Sequence, residues 1–181
     1  MKYFLLALFL SLAGASYAQT AMRDLLKTMP AALTPSLSEN NRLDMVDFKD
    51  AGMAAIVTNA FEGKSELTQL TDNYASLRLS EALHLDMALL TAGGERVLCV
   101  VMTWGTDLRE STLSFYSDQW QPLPTARYVA LPAYPFVATL DSVQQSLTLT
   151  RVNYFNQPAN EEQEKPVNVQ TILNWDGNIF K

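Results

Sequence analysis

Val97 to Trp104 is an apolar run broken by no charge, and Ser111 to Tyr116 is a second β-rich run; the polar, glycine-bearing stretch Gly105 to Glu110 lies between them. This spacing predicts a β-hairpin at the centre of a sheet. A strand apolar on both sides must be covered on both faces, so the chain needs layers above and below it. The segment before it reads differently. From Ala75 to Leu89 the odd positions are apolar apart from Glu81, while Ser76, Arg78, Ser80, His84 and Asp86 occupy even ones. That is period two, with one wet and one buried face, and a bend is expected at Ser80-Glu81 because fifteen residues is long for one strand. Gly93-Gly94 supplies the turn into the central strand.

The first third of the chain carries helical spacing instead. Met22, Leu25, Leu26 and Met29 share one helix face that Pro30 stops, and Ser36 with Glu39 has capping-box spacing for a second helix reaching about Lys49. Asp50 then offers an N-cap to Met53, Ile56, Val57 and Ala60, with Gly63 as the stop, which predicts a third helix. Covering one face of the sheet is the natural place for these helices.

Beyond the hairpin, Pro122, Pro124, Pro132 and Pro135 predict a loop or edge crossing over 121–135. Phe136, Val137, Leu140 and Val143 fit a short helix, and Phe136 to Leu140 also fits a strand. Leu147 and Leu149 are out of phase with Val152 and Tyr154, which predicts a β-bulge near Thr150-Arg151. Residues 156–166 read as a polar, acidic loop, Val167 to Trp175 as the last strand, and Asp176-Gly177 as a turn that lets Ile179-Phe180 tuck back. The expected class is α+β: N-terminal helices packed on a mainly antiparallel, meander-like sheet.

The N-terminus has the form of a secretory leader. Met1-Lys2 opens with positive charge, Tyr3 to Ala13 is apolar, and Ser16 and Ala18 are the small residues that signal peptidase accepts. The run is too short for a membrane span of about 20 residues, and no cysteine follows to carry a lipid. The expectation is a leader at 1–18, cleavage after Ala18, and one domain over 19–181 in the periplasm or outside the cell. Removing the leader leaves 12 Lys and Arg against 19 Asp and Glu. Such a balance argues against nucleic acid, whose affinity rests on cations neutralising phosphates. The single cysteine, Cys99, sits in the central apolar run and reads as a small buried hydrophobe.

No catalytic pattern stands out. His84 is the only histidine, no G-x-S-x-G is present, and one His with one Cys makes no zinc site. Nothing implies a cofactor or a metal. Asp44, Asp47 and Asp50 recur every three residues, a spacing that would bring neighbouring carboxylates to one side of a helix for Ca²⁺ binding or acid/base work, and that a solvated helix face explains equally. Asn174-Trp175-Asp176-Gly177 has the opening of a calcium loop without its closing Glu and reads as a turn. Trp120, Tyr128, Tyr134 and Phe136 lie in or beside the proline-rich crossing, where rigid aromatics suit either partner contact or capping of the sheet end.

Glu39-Asn-Asn-Arg-Leu-Asp-Met-Val-Asp-Phe48, Gly63-Lys-Ser-Glu66, Leu77-Arg-Leu-Ser-Glu81 and Glu110-Ser-Thr-Leu-Ser-Phe-Tyr116 together resemble an uncharacterised family of small exported Bacteroidetes proteins, a domain of unknown function. The resemblance implies lineage and an exported setting, and brings no activity, ligand or site residue. The resulting expectation is a non-enzymatic module that binds an envelope protein, peptide or glycan through the aromatic edge. The alternatives are a carboxylate-dependent hydrolase of an envelope glycan or ester, and a purely structural protein.

Overall fold

The computed structural model describes residues 21–152 and 169–181. Among them are two α-helices, α1 (Met22–Thr28) and α2 (Glu39–Asp50), and ten strands: β1 (Ile56–Thr58), β2 (Lys64–Leu70), β3 (Tyr74–Ser80), β4 (Leu83–Ala92), β5 (Glu95–Trp104), β6 (Glu110–Ser117), β7 (Pro122–Leu123), β8 (Phe136–Asp141), β9 (Ser146–Arg151) and β10 (Gln170–Asn174). β1 to β7 form one sheet in chain order, and β10-β9-β8 form a second, every pairing being antiparallel. The α+β meander expected from the sequence is therefore the fold, in three layers: helices, large sheet, small sheet.

The central hairpin explains the layering. On β5, Leu98 and Val100 join the helix-side core with Met22, Leu25, Leu26, Met45 and Val46. Val97, Cys99 and Val101 point the other way, into a second core with Leu140, Leu147 and Leu149 of the small sheet. The odd residues of the alternating segment, Ala75, Leu77, Leu79, Leu85, Met87 and Leu89, all reach the helix-side core, and the break falls at Glu81-Ala82. Ser111 stitches the layers together. Its hydroxyl bonds to Thr103 at 2.7 Å and accepts the Ala138 N–H at 2.9 Å, so a polar pair buried between the sheets is satisfied.

Several expectations are corrected. The helix cap is Ser38, not Ser36: Asn41 N–H donates to Ser38 Oγ and Ser38 N–H to Asn41 Oδ1, each at 3.1 Å. The third helix does not form. Asp50 ends α2, and residues 56–58 are an edge strand, because Met53 and Ile56 have no core to enter and stay 51% and 41% exposed. Phe136 to Asp141 resolves as a strand. No bulge interrupts β9, whose register runs unbroken to Arg151; the chain leaves the sheet there and Val152 N–H donates to the Pro135 carbonyl. The irregularities lie elsewhere, at Thr68 between β2 and β3 and at Leu79 between β3 and β4. The predicted leader and the whole of the predicted acidic loop lie outside the described residues. Among the described residues no helix is long and apolar enough to cross a membrane.

Candidate binding cleft

The aromatic residues of the proline-rich crossing fold inward. Tyr128 and Phe136 are 3% and 8% exposed and belong to the core between the sheets; Trp120, 9% exposed, belongs to the helix-side core, where its indole N–H donates to Thr28 Oγ1 at 3.3 Å. Tyr134 is half-buried beneath the Arg151 guanidinium, 5.1 Å from its ring centroid. The expected aromatic contact edge is thus corrected: three of its four residues cap the layers from inside, since burying such rings outweighs anything they could offer at the surface.

Tyr128 also supports another ring. Phe115 stacks on Tyr128 with centroids 4.8 Å apart, and Tyr128 stacks on Trp175 at 6.4 Å, while Phe180 meets Trp175 edge-on at 5.0 Å. Trp175 follows β10 directly. Its indole N–H donates to the Thr91 carbonyl at 3.0 Å and its backbone N–H to the Gln145 carbonyl at 2.9 Å. The ring is therefore fixed on several sides yet remains half-buried.

Trp175 lines a cleft of about 510 Å³ where four connections converge: Asn73 from the β2–β3 turn, Gly93 and Gly94 of the β4–β5 turn with the flanking strand residues Thr91 and Arg96, Gln145 from the β8–β9 turn, and Gly177. The turns are tied to each other. Gly93 N–H donates to the Gly177 carbonyl at 3.2 Å, and Arg96 Nη2 donates to Asn73 Oδ1 at 3.0 Å. Gly93 and Gly94 both have positive φ, 57° and 91°, as a two-residue hairpin turn requires. Gln145 has φ 50° without being glycine. A left-handed non-glycine residue costs about 1–2 kcal/mol, and such strain tends to persist where surrounding contacts fix a functional geometry. Trp175 is the one aromatic ring among the described lining residues, set beside amide, guanidinium and hydroxyl groups in an open, mostly polar cleft.

Asp176 locks the turn behind Trp175. It accepts N–H bonds from Asn178 and Ile179, each at 2.9 Å, and Lys181 Nζ at 2.7 Å. The Lys181 hydrogen bond, then the two backbone bonds, lower its pKa from 3.8 to about 2. A folded-state pKa below the unfolded one gives a stabilising contribution that is complete above the unfolded value near 3.8 and is lost as pH falls through about 2. A carboxyl carbon NMR titration is expected to place the Asp176 midpoint near 2; a midpoint near 3.8 would mean that the turn is not held in solution.

The other sequence candidates are not brought together. Asp44, Asp47 and Asp50 lie on the exposed face of α2, where Asp47 faces Lys27 at 3.9 Å and Asp50 pairs with Arg23 at 3.3 Å. Asp47 and Asp50 thus link α2 to α1. Exposed pairs of this kind contribute little, so Asp47→Asn is expected to change stability by less than about 0.5 kcal/mol in urea unfolding. Among the described residues no group of three or more His, Cys, Asp or Glu is arranged to hold a metal ion. His84 stands half-buried between Arg78 and Thr103 in the strand register. Cys99 is fully buried, and burial pushes its thiol pKa well up, so it is held as the neutral thiol.

The elements together define a three-layer α+β meander with an open cleft beside Trp175. A family described as a protein of unknown function, DUF3256, matches residues 14–154, and the chain belongs to that family. A solved domain of an uncharacterised protein from Porphyromonas gingivalis W83 is similar in fold: TM-score 0.71 at 18% identity, covering 88% of this chain and 96% of that one. No curated protein matches the chain. The resemblance to an uncharacterised Bacteroidetes family is thus upheld. The match ends before Trp175, so one wall of the cleft lies beyond it.

Proposed function

We propose that the protein is a non-enzymatic binding module of the bacterial envelope or exterior that takes up a saccharide in the Trp175 cleft. The carrying observation is Trp175 itself, held by Tyr128 and the Thr91 carbonyl with its indole lining a cleft that also presents Asn73, Arg96 and Gln145. A sugar ring offers an apolar C–H face and an edge of hydroxyls, and this pairing of an indole with planar amide and guanidinium groups matches both. The secretory form of residues 1–18 supports the location.

Calorimetric titration of the protein against a panel of envelope and mucosal oligosaccharides tests the reading. Binding is expected for at least one class, weakened about tenfold or more by Trp175→Ala and by Gln145→Ala, and unaffected by Thr148→Ala on the far face of the small sheet. Because Trp175 also packs on Tyr128 and Phe180, the Gln145 variant guards against mistaking a folding defect for lost binding. A panel without any binder would sink the proposal.

A further inference from the structure

We infer that the outer edge of β10 pairs with the same edge of a second copy of this chain, joining two small sheets into one continuous antiparallel sheet. Three of the four sheet edges among the described residues are blunted, as edges usually are. β7 is two residues long and opens with Pro122. β1 is three residues long, and its Thr58 carbonyl accepts from Asn41 Nδ2 at 3.3 Å. On β8 the Ala138 N–H turns away from β9 and donates to Ser111 Oγ at 2.9 Å. β10 has no such device. Val169 to Trp175 contains neither a charge nor a proline, and Val169 and Ile172 are 43% and 62% exposed.

The backbone fixes what can dock there. Asn174 exchanges both of its bonds with Lys181, at 2.8 and 3.1 Å, on the side away from β9. The Val169 carbonyl, which accepts from Arg151, and the Trp175 N–H, which donates to Gln145, point the other way. Alternation along the strand therefore turns the N–H and C=O of Gln170 and Ile172 outward, where they have no backbone partner among the described residues. Groups of this kind are matched by another strand. Lys181 closes the Asn174 end, so the open groups lie symmetrically about Thr171. A two-fold axis beside Thr171 makes this stretch its own complement. Gln170 of one copy exchanges both bonds with Ile172 of the other, Thr171 faces Thr171, and exposed Val169 comes opposite Leu173. Charge favours the same match. At a net charge of -6 two copies repel each other, and the neutral β10 edge is where they approach at least cost.

So short a contact makes a weak, reversible dimer, and sedimentation equilibrium over a wide range of protein concentration is expected to show it. Ile172→Lys sets like charges across the axis, and Ile172→Pro removes only the outward N–H while leaving the β9 ladder whole. Each is expected to raise the dimer dissociation constant about tenfold or more. Thr139→Lys places the same charge on exposed β8, away from the edge, and is expected to leave the constant unchanged. Thermal unfolding checks that the variants keep the fold. Thr171→Cys reads the register. Opposed residues of a non-hydrogen-bonded pair have Cα atoms about 4.5 Å apart, within the roughly 4.4–6.8 Å that a disulfide spans. Mild oxidation is thus expected to link Thr171→Cys copies and to link Ile172→Cys copies far less; Cys99, fully buried, does not compete. A monomer at every concentration, a dimer that persists in both Ile172→Lys and Ile172→Pro, or equal linking of the two cysteine variants would overturn the inference. So would a monomer whose Ile172 amide gains exchange protection only from an added neutral peptide, which would assign the edge to a foreign strand.

Discussion

Replacing Phe115 by alanine is expected to lower the stability of the protein by about 3–5 kcal/mol, a large part of the roughly 5–15 kcal/mol that holds a domain together. Phe115 is 1% exposed in the middle of β6, between the two sheets. Its ring packs on Tyr128 at 4.8 Å and Phe180 at 6.4 Å, so truncation removes both the transfer of a large ring out of water and the partner of two others. Two rigid sheets cannot close readily over the space left between them. Urea unfolding checks the magnitude, and a loss below about 1 kcal/mol would mean that the small sheet settles onto the cavity. Tyr128 supports Trp175, so under the binding proposal above saccharide affinity should fall in the same variant even under conditions where it stays folded. Phe115→Leu keeps most of the volume and is expected to lose about 1–2 kcal/mol.

Gly105→Ala is expected to cost about 2–4 kcal/mol, from backbone strain together with a clash. Gly105 leaves β5 with φ 102°, and a Cβ there would stand 2.0 Å from the Leu108 carbonyl oxygen and 2.9 Å from its carbon. Those atoms belong to the backbone of the turn between β5 and β6, so relief requires rebuilding the turn. Its own N–H donates to the Ala82 carbonyl at 2.8 Å, which ties that turn to the neighbouring β3–β4 connection. Gly52→Ala separates the two contributions: Gly52 has φ 68° but nothing within 4 Å of the position of a Cβ, and strain alone is expected to cost about 1 kcal/mol there. Equal losses at the two positions in denaturant unfolding would show that the clash is relieved at no cost.

The parts of the fold legible in the sequence are those where a face is buried along a whole strand. Leu77, Leu79, Leu85, Met87 and Leu89 alternate because the helices cover their side and water covers the other. β2 was not legible, because Lys64–Leu70 pairs at the narrow end of the sheet with only Ser65 and Leu67 fully buried. The false third helix had a related cause: Met53, Ile56 and Val57 have helical spacing, yet of these only Val57 is buried. Spacing is informative when a core enforces it, and at Met53 none does. The cleft was invisible for a different reason. Its groups come from four connections spread from Asn73 to Gly177, and no local pattern relates Trp175 to Arg96. Tyr128 read as an aromatic of the proline-rich edge, and its burial beneath Trp175 is a matter of tertiary stacking that no local pattern shows.

The chain-order pairing of β1 to β7 bears on how the protein assembles in time. Each of these strands finds its partner across a short connection, so the large sheet closes small loops and can zip quickly. The cleft obeys the opposite rule. Its defining hydrogen bond, from Trp175 to Thr91, joins residues 84 positions apart, and so its loop-closure entropy is paid last. Native-state hydrogen exchange should therefore show the C-terminal turn opening well below the energy that unfolds β4 to β6. The Trp175–Thr91 bond fastens the end of the chain to its middle, so that forming the cleft and completing the fold become a single event.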